Sequence, residues 1–156
     1  MLPVLFCALT AVAAAQQNPD VRICNSIDPS LANERVAACT RLLSDPSYVN
    51  SREAIYVNRG VAYKNLGQYK RALPDLDRSL QLNPKYANAY DSRGFVYGKL
   101  GQYKRALQDI NQAIRLDQTV PDIYSHRAVV REKLGDHAGA KADRRKAQSL
   151  KKAGKP

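Results

Sequence analysis

The sequence has few of the residue types from which catalytic and metal sites are most often built. Its 156 residues contain two histidines, three cysteines, one methionine and no tryptophan. Neither histidine has a cysteine nucleophile or a metal-spaced partner nearby in the sequence. There is also no Gly-rich phosphate loop, HExxH motif or paired-carboxylate signature. We therefore expect no enzymatic activity, no metal and no cofactor.

Charge is missing from residues 1–19, although the whole chain has 25 basic and 14 acidic side chains and a formal net charge of +11. Residues 1–15 are apolar and end in small side chains, which is typical of a secretory signal peptide cleaved after Ala15 or Ala14. The run is shorter than the roughly 20 apolar residues of a membrane span. We expect an exported protein. No Lys or Arg precedes the run, which is compatible with a mis-assigned start codon. The alternative to a signal peptide is a buried N-terminal helix.

What the sequence does contain is a repeat of 34 residues. The seven letters GQYKRAL at 67–73 return unchanged at 101–107. The Tyr, Arg and Gly positions that precede them return at the same distance, and a weaker third copy begins at Tyr124. Such self-similarity at a fixed period is the mark of a stacked repeat array.

Each copy predicts two helices. The first helix of the first copy has one face at helical spacing, made of Tyr56, Gly60, Tyr63 and Leu66. Gly67 stands where a helix end favours a left-handed residue. The second helix is predicted over 69–82, with Asn83-Pro84 ending it. Pro74 lies inside it and predicts a kink or a later start.

Small residues recur where the two helices of a repeat should cross. Glycine within a helix costs roughly 0.5–1 kcal/mol relative to alanine, so its recurrence suggests a close approach. The expected facing pairs are Gly60 with Ala72, Gly94 with Ala106, and Ala128 with Ala140.

One arginine and one aspartate also keep the repeat period. They stand at Arg59, Arg93 and Arg127 and at Asp75, Asp109 and Asp143. An active site would not need three copies, so we interpret them as structural pairs within a repeat or across neighbours.

These patterns together resemble the tetratricopeptide repeat. The resemblance implies an all-α fold, a short right-handed solenoid of antiparallel helix pairs with about three repeats at 53–86, 87–120 and 121–154. The third copy departs from the pattern and is expected to cap the stack, because a terminal unit has no neighbour to cover its outer face. His137 takes the place of Tyr69 and Tyr103, and we expect it to pack as they do.

Residues 16–52 are expected to form a leading helical hairpin. If Cys7 leaves with the signal peptide, Cys24 and Cys39 remain, and an even count in an exported chain predicts a disulfide. Ser30 is the expected N-cap of a helix running from about Leu31 to Leu43. The alternative is two unpaired buried cysteines. The local sequence Cys24-Asn-Ser…Arg35-Val-Ala-Ala-Cys39-Thr40-Arg41, followed by repeats with Asn58-Arg59-Gly60, resembles exported proteobacterial repeat proteins. The resemblance implies the periplasm or secretion.

The family resemblance further implies that a peptide or protein segment binds in the concave groove formed by the first helices. The groove positions, carried over by register, are Ala54, Val57, Val61, Lys64, Asn65, Asn88, Asp91, Phe95, Gly98, Lys99, Asp122, Ser125, Val129, Glu132 and Lys133. This mixed lining suggests a largely neutral partner. The family's carboxylate clamp for chaperone tails is not matched at Val57, Val61, Asp122 and His126, although His126 could touch a partner.

The basic C-terminal segment offers a second interpretation. Its cations are Lys141, Arg144, Arg145, Lys146, Lys151, Lys152 and Lys155. They form either a solvated cap or a site for an anionic envelope component. Nucleic acid is not expected, since aromatic residues do not alternate with the cations. Because three repeats make a short groove, a homo-oligomer or a larger complex stays open.

Overall fold

The computed structural model describes residues 18–154, and the regular elements in that range are all helical. The expected signal peptide lies outside this range. Eight α-helices follow in order: α1 Pro19–Cys24, α2 Ala32–Ser44, α3 Arg52–Asn65, α4 Tyr69–Leu82, α5 Ala87–Lys99, α6 Tyr103–Leu116, α7 Pro121–Lys133 and α8 His137–Ala153. Short 3-10 turns cover Pro29–Leu31 and Pro46–Ser51. None of the described helices has the length and apolar character to cross a membrane.

The helices stack as pairs. Helix α3 packs on α4, α5 on α6 and α7 on α8, and each second helix contacts the first helix of the next pair. The first helices α3, α5 and α7 also contact one another in turn, so they form the inner layer of the stack. Helices α1 and α2 pack on the α3 end. The prediction of an all-α solenoid with a leading hairpin is confirmed.

The repeat glycines set the turns between paired helices. Gly67, Gly101 and Gly135 have φ of 71°, 76° and 83°, a region that glycine enters without steric cost. Helix α4 covers the predicted range 69–82. It begins at Tyr69, as α6 begins at the equivalent Tyr103, so the helix does not start later at Pro74, and the kink that was the other expected response stays a prediction. A proline at this position removes one intrahelical hydrogen bond, and the repeat packing holds the helix start in place.

The paired helices cross closely at the predicted glycines. A Cβ atom on Gly94 would lie 2.6 Å from Ile110 Cγ1 and 3.1 Å from the Ala106 carbonyl oxygen. At Gly60 the nearest atom would be Leu76 Cγ, at 2.9 Å. The close approach is confirmed, but the nearest side chains are Leu76 and Ile110 rather than the alanines.

A disulfide between Cys24 and Cys39 joins α1 to α2, with the two Cα atoms 5.0 Å apart. Both cysteines are fully buried in a small core that Leu42 and Ile55 complete. The pairing predicted from the sequence is confirmed.

Ser30 does not cap α2. The Asp28 carboxylate instead accepts a hydrogen bond from the Ser30 N–H at 2.9 Å and starts a 3-10 turn, and α2 begins only at Ala32. Asp28 is therefore the N-cap of the 3-10 turn, two residues before the expected cap at Ser30. Its carboxylate accepts a hydrogen bond from an N–H that has no partner within the helix, and Pro29 fits the first helical position.

The periodic arginines connect the two helices of a repeat and also neighbouring repeats. Each guanidinium binds the aspartate of its own repeat through two hydrogen bonds of 2.7–2.9 Å, in the pairs Arg59–Asp75, Arg93–Asp109 and Arg127–Asp143. Each Nη1 also reaches the preceding pair, at Thr40, Asp77 and Asn111 respectively, over 3.0, 2.7 and 2.9 Å. The structural interpretation of both series is confirmed.

The last repeat replaces apolar contacts by ion pairs on its uncovered face. Arg144 stands at the position of the buried Leu76 and donates to Glu132 Oε2 at 2.9 Å. The His137 side chain is 73% exposed and lies 2.8 Å from Glu132 Oε1. The expectation that His137 packs like Tyr69 is therefore wrong, because the described residues leave its side chain exposed.

Candidate functional site: the groove of the first helices

The expected groove positions differ widely in accessibility. Val57 is fully buried in a core with Leu80 and Ala89, so it cannot contact a partner in this structure. Asp91 is 9% exposed. The half-buried positions are Ala54, Val61, Lys64, Phe95, Gly98, Ser125 and Glu132, and the exposed positions are Asn65, Asn88, Lys99, Asp122, Val129 and Lys133.

Phe95 is the point on which the groove side chains converge. The Nζ atoms of Lys64 and Lys99 lie 5.1 and 5.2 Å from the centre of its ring, within the range of a cation–π contact. The ring of His126 meets it edge to face, with centroids 5.1 Å apart. Helices α3, α5 and α7 therefore each place a side chain at this ring.

His126 is fixed by Asp91. Its Nδ1 atom lies 2.8 Å from Asp91 Oδ1 and 3.1 Å from Oδ2, which joins α7 to α5 across the groove floor. His126 was outside the groove set expected from the sequence, although it falls in register with Asn58 and Ser92. The signal that could have identified it is the aspartate carried by the neighbouring first helix.

Beside Phe95 a cavity of about 260 Å³ opens between α5 and α7. Phe95, Gly98, Lys99, His126, Val129 and Lys133 line it, with Tyr103, Ile110 and Val130 beneath. Cavities for drug-sized ligands usually have about 300–1,000 Å³, so this one suits one or two side chains of a longer ligand. Tyr103 and Val130 were not expected in the site, because Tyr103 belongs to the second helix α6 and Val130 is a buried position of α7.

Gly98 keeps this cavity open. A Cβ atom there would meet Val130 Cγ2 at 3.6 Å and Ala106 Cβ at 3.9 Å, both ordinary contacts. Helix packing thus requires glycine at Gly94 but not at Gly98, one turn later. A helical glycine still costs roughly 0.5–1 kcal/mol relative to alanine. The absence of a side chain at Gly98 therefore affects the space in the cavity and not the packing of the helices.

The groove charges are unevenly paired. The three carboxylates each have a protein partner: Asp91 with His126, Asp122 with Lys151 at 3.2 Å, and Glu132 with His137 and Arg144. Hydrogen bonds from His137 and Arg144 lower the pKa of Glu132. Lys64, Lys99 and Lys133 make no ion pair with a carboxylate of residues 18–154. The groove therefore has unpaired positive charge.

Burial of the Lys64 ammonium group is unfavourable. Burial lowers the pKa of its ammonium group, the nearby Asp91 opposes the change, and the charge of Arg35 adds to it. Arg35 itself is 4% exposed and also forms no ion pair in the described part of the chain. Burial lowers the pKa of Arg35 as well.

Other cavities lie away from the groove. Open depressions of about 600 and 410 Å³ sit under the turns at 101–105 and 67–71, beside Leu134 and Leu100. Because they recur with the repeat period, we interpret them as part of the stacking geometry. No group of three metal-ligating side chains occurs among residues 18–154.

Solved structures with the same architecture are numerous. The second TPR of Spaghetti (RPAP3), in complex with the HSP90 peptide SRMEEVD, is 27% identical, with a TM-score of 0.61 over 64% of this chain and 92% of that one. MamA residues 41 to the end from Desulfovibrio magneticus RS-1 is 20% identical, with a TM-score of 0.64 over 91% and 82%. A crystal structure of MamA is 21% identical, with a TM-score of 0.66 over 90% and 78%.

Models of protein families, compared with the sequence, identify the same type of repeat. Two models described as tetratricopeptide repeat match residues 54–86 and 76–108, and one described as TPR repeat matches residues 96–135. A comparison with curated proteins gives no match. The three family matches together span more than half of the chain, and with the helix pairs and the structural neighbours they show that it belongs to the tetratricopeptide repeat family.

Proposed function

We propose that the mature chain is a non-enzymatic adaptor that binds a segment of a partner protein in the groove of α3, α5 and α7. The observation that carries this proposal is the accessible cluster around Phe95, where an aromatic ring, unpaired lysines and an open cavity meet. The TPR of Spaghetti that is bound to a peptide supports a protein-interaction role for this architecture.

Recognition would differ from the chaperone-tail clamp of the family. The four clamp positions carry Val57, Val61, Asp122 and His126. Val57 is buried, and His126 is held by Asp91. The two remaining positions hold a valine and an acidic side chain, so the clamp's cationic hydrogen bonds cannot form there.

We also propose that the protein acts outside the cytoplasm, after removal of residues 1–15. A buried structural disulfide suits an oxidising compartment, and such bonds are rare in reducing ones. Cell fractionation tests this directly. A mature chain that begins near residue 16 in the periplasm or the medium supports export, and a full-length reduced chain in the cytoplasm overturns it.

A second candidate partner is an anionic envelope component bound by α8. Lys141, Arg145 and Lys152 share one side of this helix, are exposed, and form no ion pair with the described residues. Binding of this kind should weaken steeply with salt, since the Debye length is about 10 Å at 0.1 M. Groove binding, which includes apolar burial, should persist.

Photocrosslinking from single positions tests the groove proposal. A photoreactive amino acid would replace Val129, which is 59% exposed in the groove, or Gln108, which is exposed on the second helix α6. We expect one partner protein crosslinked in fixed ratio from Val129 and not from Gln108. Crosslinks of equal yield from both positions, or none from Val129, would overturn it.

A further inference from the structure

We infer that the groove selects an acidic protein segment in which Asp or Glu flanks one apolar residue, with the carboxylates on Lys64 and Lys99 and the apolar side chain in the cavity beside Phe95. The inference rests on the proposed function and specifies the chemistry of the partner. It replaces the largely neutral partner expected from the list of groove residues, because the structure shows which charges are already paired.

The two lysines at the Phe95 ring are placed to bind carboxylates. Both Nζ atoms lie within 5.2 Å of the Phe95 ring centre, yet neither forms an ion pair with a carboxylate of the described residues. Each ammonium group is therefore available to a carboxylate of a bound ligand. Groove carboxylates do not fill this role, because Asp91, Asp122 and Glu132 are held by other groups.

The cavity is suited to the apolar side chain of such a segment. Its lining includes the apolar side chains of Phe95, Val129 and Val130 and also Lys99 and Lys133. Gly98 leaves the wall open where a larger side chain would enter it. A ligand that matches this surface carries an apolar group next to negative charge.

The lysines and the cavity would hold one ligand because they share residues. Lys99 lies over the Phe95 ring and also lines the cavity, and Phe95 is part of both. An apolar side chain in the cavity therefore brings the neighbouring residues of an extended segment to the two ammonium groups. Free phosphate or a polyphosphate could neutralise the lysines but would leave the cavity empty.

The test is selection of binding peptides from a phage-displayed library of random peptides, using the full mature chain at about 0.15 M salt, where the Debye length is about 8 Å. The groove variant Lys64→Gln/Lys99→Gln is compared with Lys141→Gln/Lys146→Gln on α8. Both double variants remove two positive charges, so general attraction of acidic peptides to a basic protein falls equally in the two.

We expect wild type and the α8 variant to select sequences with Asp or Glu around one apolar residue, and the groove variant to lose that preference. In fluorescence anisotropy, a selected peptide should bind about tenfold more weakly for each groove lysine removed, or about 1.4 kcal/mol per lysine. Gly98→Ala should also weaken it, because the methyl group enters the cavity.

Each contrary outcome is distinguishable. Neutral or basic sequences that bind the groove and crosslink to position 129 would overturn the acidic partner and leave the groove function standing. Equal loss in both double variants, or displacement of the peptide by polyphosphate with equal affinity, would assign the binding to general charge and overturn the inference. Failure to select any peptide would contradict both proposals.

Discussion

At the scale of single residues, the burial and the pairing of a charged side chain decide whether it stabilises or destabilises the fold. Arg93 binds two aspartates at 2.7 Å, but the Asp109 side chain is 11% exposed and Asp77 is 45% exposed. Hydrogen bonding to Asp109, and to a smaller extent to Asp77, raises the pKa of Arg93 despite its burial. Lys64 has the opposite situation, with burial and no carboxylate partner among the described residues.

Asp109→Asn should therefore destabilise the chain strongly. Removing one partner leaves the Arg93 guanidinium half-compensated inside the stack, and breaking a buried pair costs about 3–5 kcal/mol. Asp77→Asn removes an equal charge from the same arginine at a more exposed site, where a loss below about 1 kcal/mol is expected. Urea unfolding of the two variants measures the difference, and equal losses would contradict the structural role assigned to the repeat pair.

Lys64→Met should stabilise the free protein. Folding lowers the pKa of Lys64, so at neutral pH the unfolded chain binds the proton more readily and the lysine opposes folding. The advantage of the methionine variant should narrow as the pH rises through the lowered pKa toward the ordinary value of 10.5. Thermal unfolding at several pH values tests this. A less stable variant would show that Lys64 supports the fold rather than the site.

At the scale of helices, α5 contains two glycines with different roles. Gly94 faces Ile110 and the Ala106 carbonyl closely, and Gly98 has only ordinary neighbours. Sequence reasoning identified the first role, because glycine recurs at Gly60 and Gly94 with the repeat period. It could not identify the second, because Gly98 is matched by Lys64 and Glu132 in the other repeats and no recurrence marks it.

Alanine at these two positions should have opposite effects. Gly94→Ala should destabilise the chain, since its Cβ would lie 2.6 Å from Ile110 Cγ1 and force the helices apart. Gly98→Ala should stabilise it by about 0.5–1 kcal/mol through helix propensity. Chemical denaturation of both variants is the measurement. A loss of stability for Gly98→Ala would mean that the glycine serves packing and not the cavity.

The leading hairpin depends on its covalent link. Helix α1 has six residues and buries only Cys24, too few contacts to hold it by packing alone. Reducing the disulfide, which joins residues separated by 15 positions, should cost about 3 kcal/mol in the chain-entropy model. Hydrogen exchange should rise in α1 while α5–α8 stay protected. Unchanged exchange in α1 would contradict this account.

At the scale of the whole molecule, the repeat pattern determines the stack, and interactions outside the pattern determine the groove. Helix pairs, turns, ion pairs and the disulfide were predictable because each depends on local sequence or on recurrence. The burial of Val57 and the anchoring of His126 were not predictable because both depend on how neighbouring repeats pack: Val57 is covered by Leu80 and Ala89, and His126 is held by Asp91. The unpaired state of Lys64 likewise becomes visible only in three dimensions.

The central claim is that the groove of α3, α5 and α7 is the working surface. The most direct test is a nuclear magnetic resonance titration of the isotope-labelled mature chain with a peptide from the selection or from the crosslinked partner. The account predicts backbone shifts concentrated at Lys64, Phe95, Lys99 and Val129, with α8 unaffected beyond its contacts with α7. Shifts concentrated at Lys141, Arg145 and Lys152 of α8, with Phe95 unchanged, would contradict it.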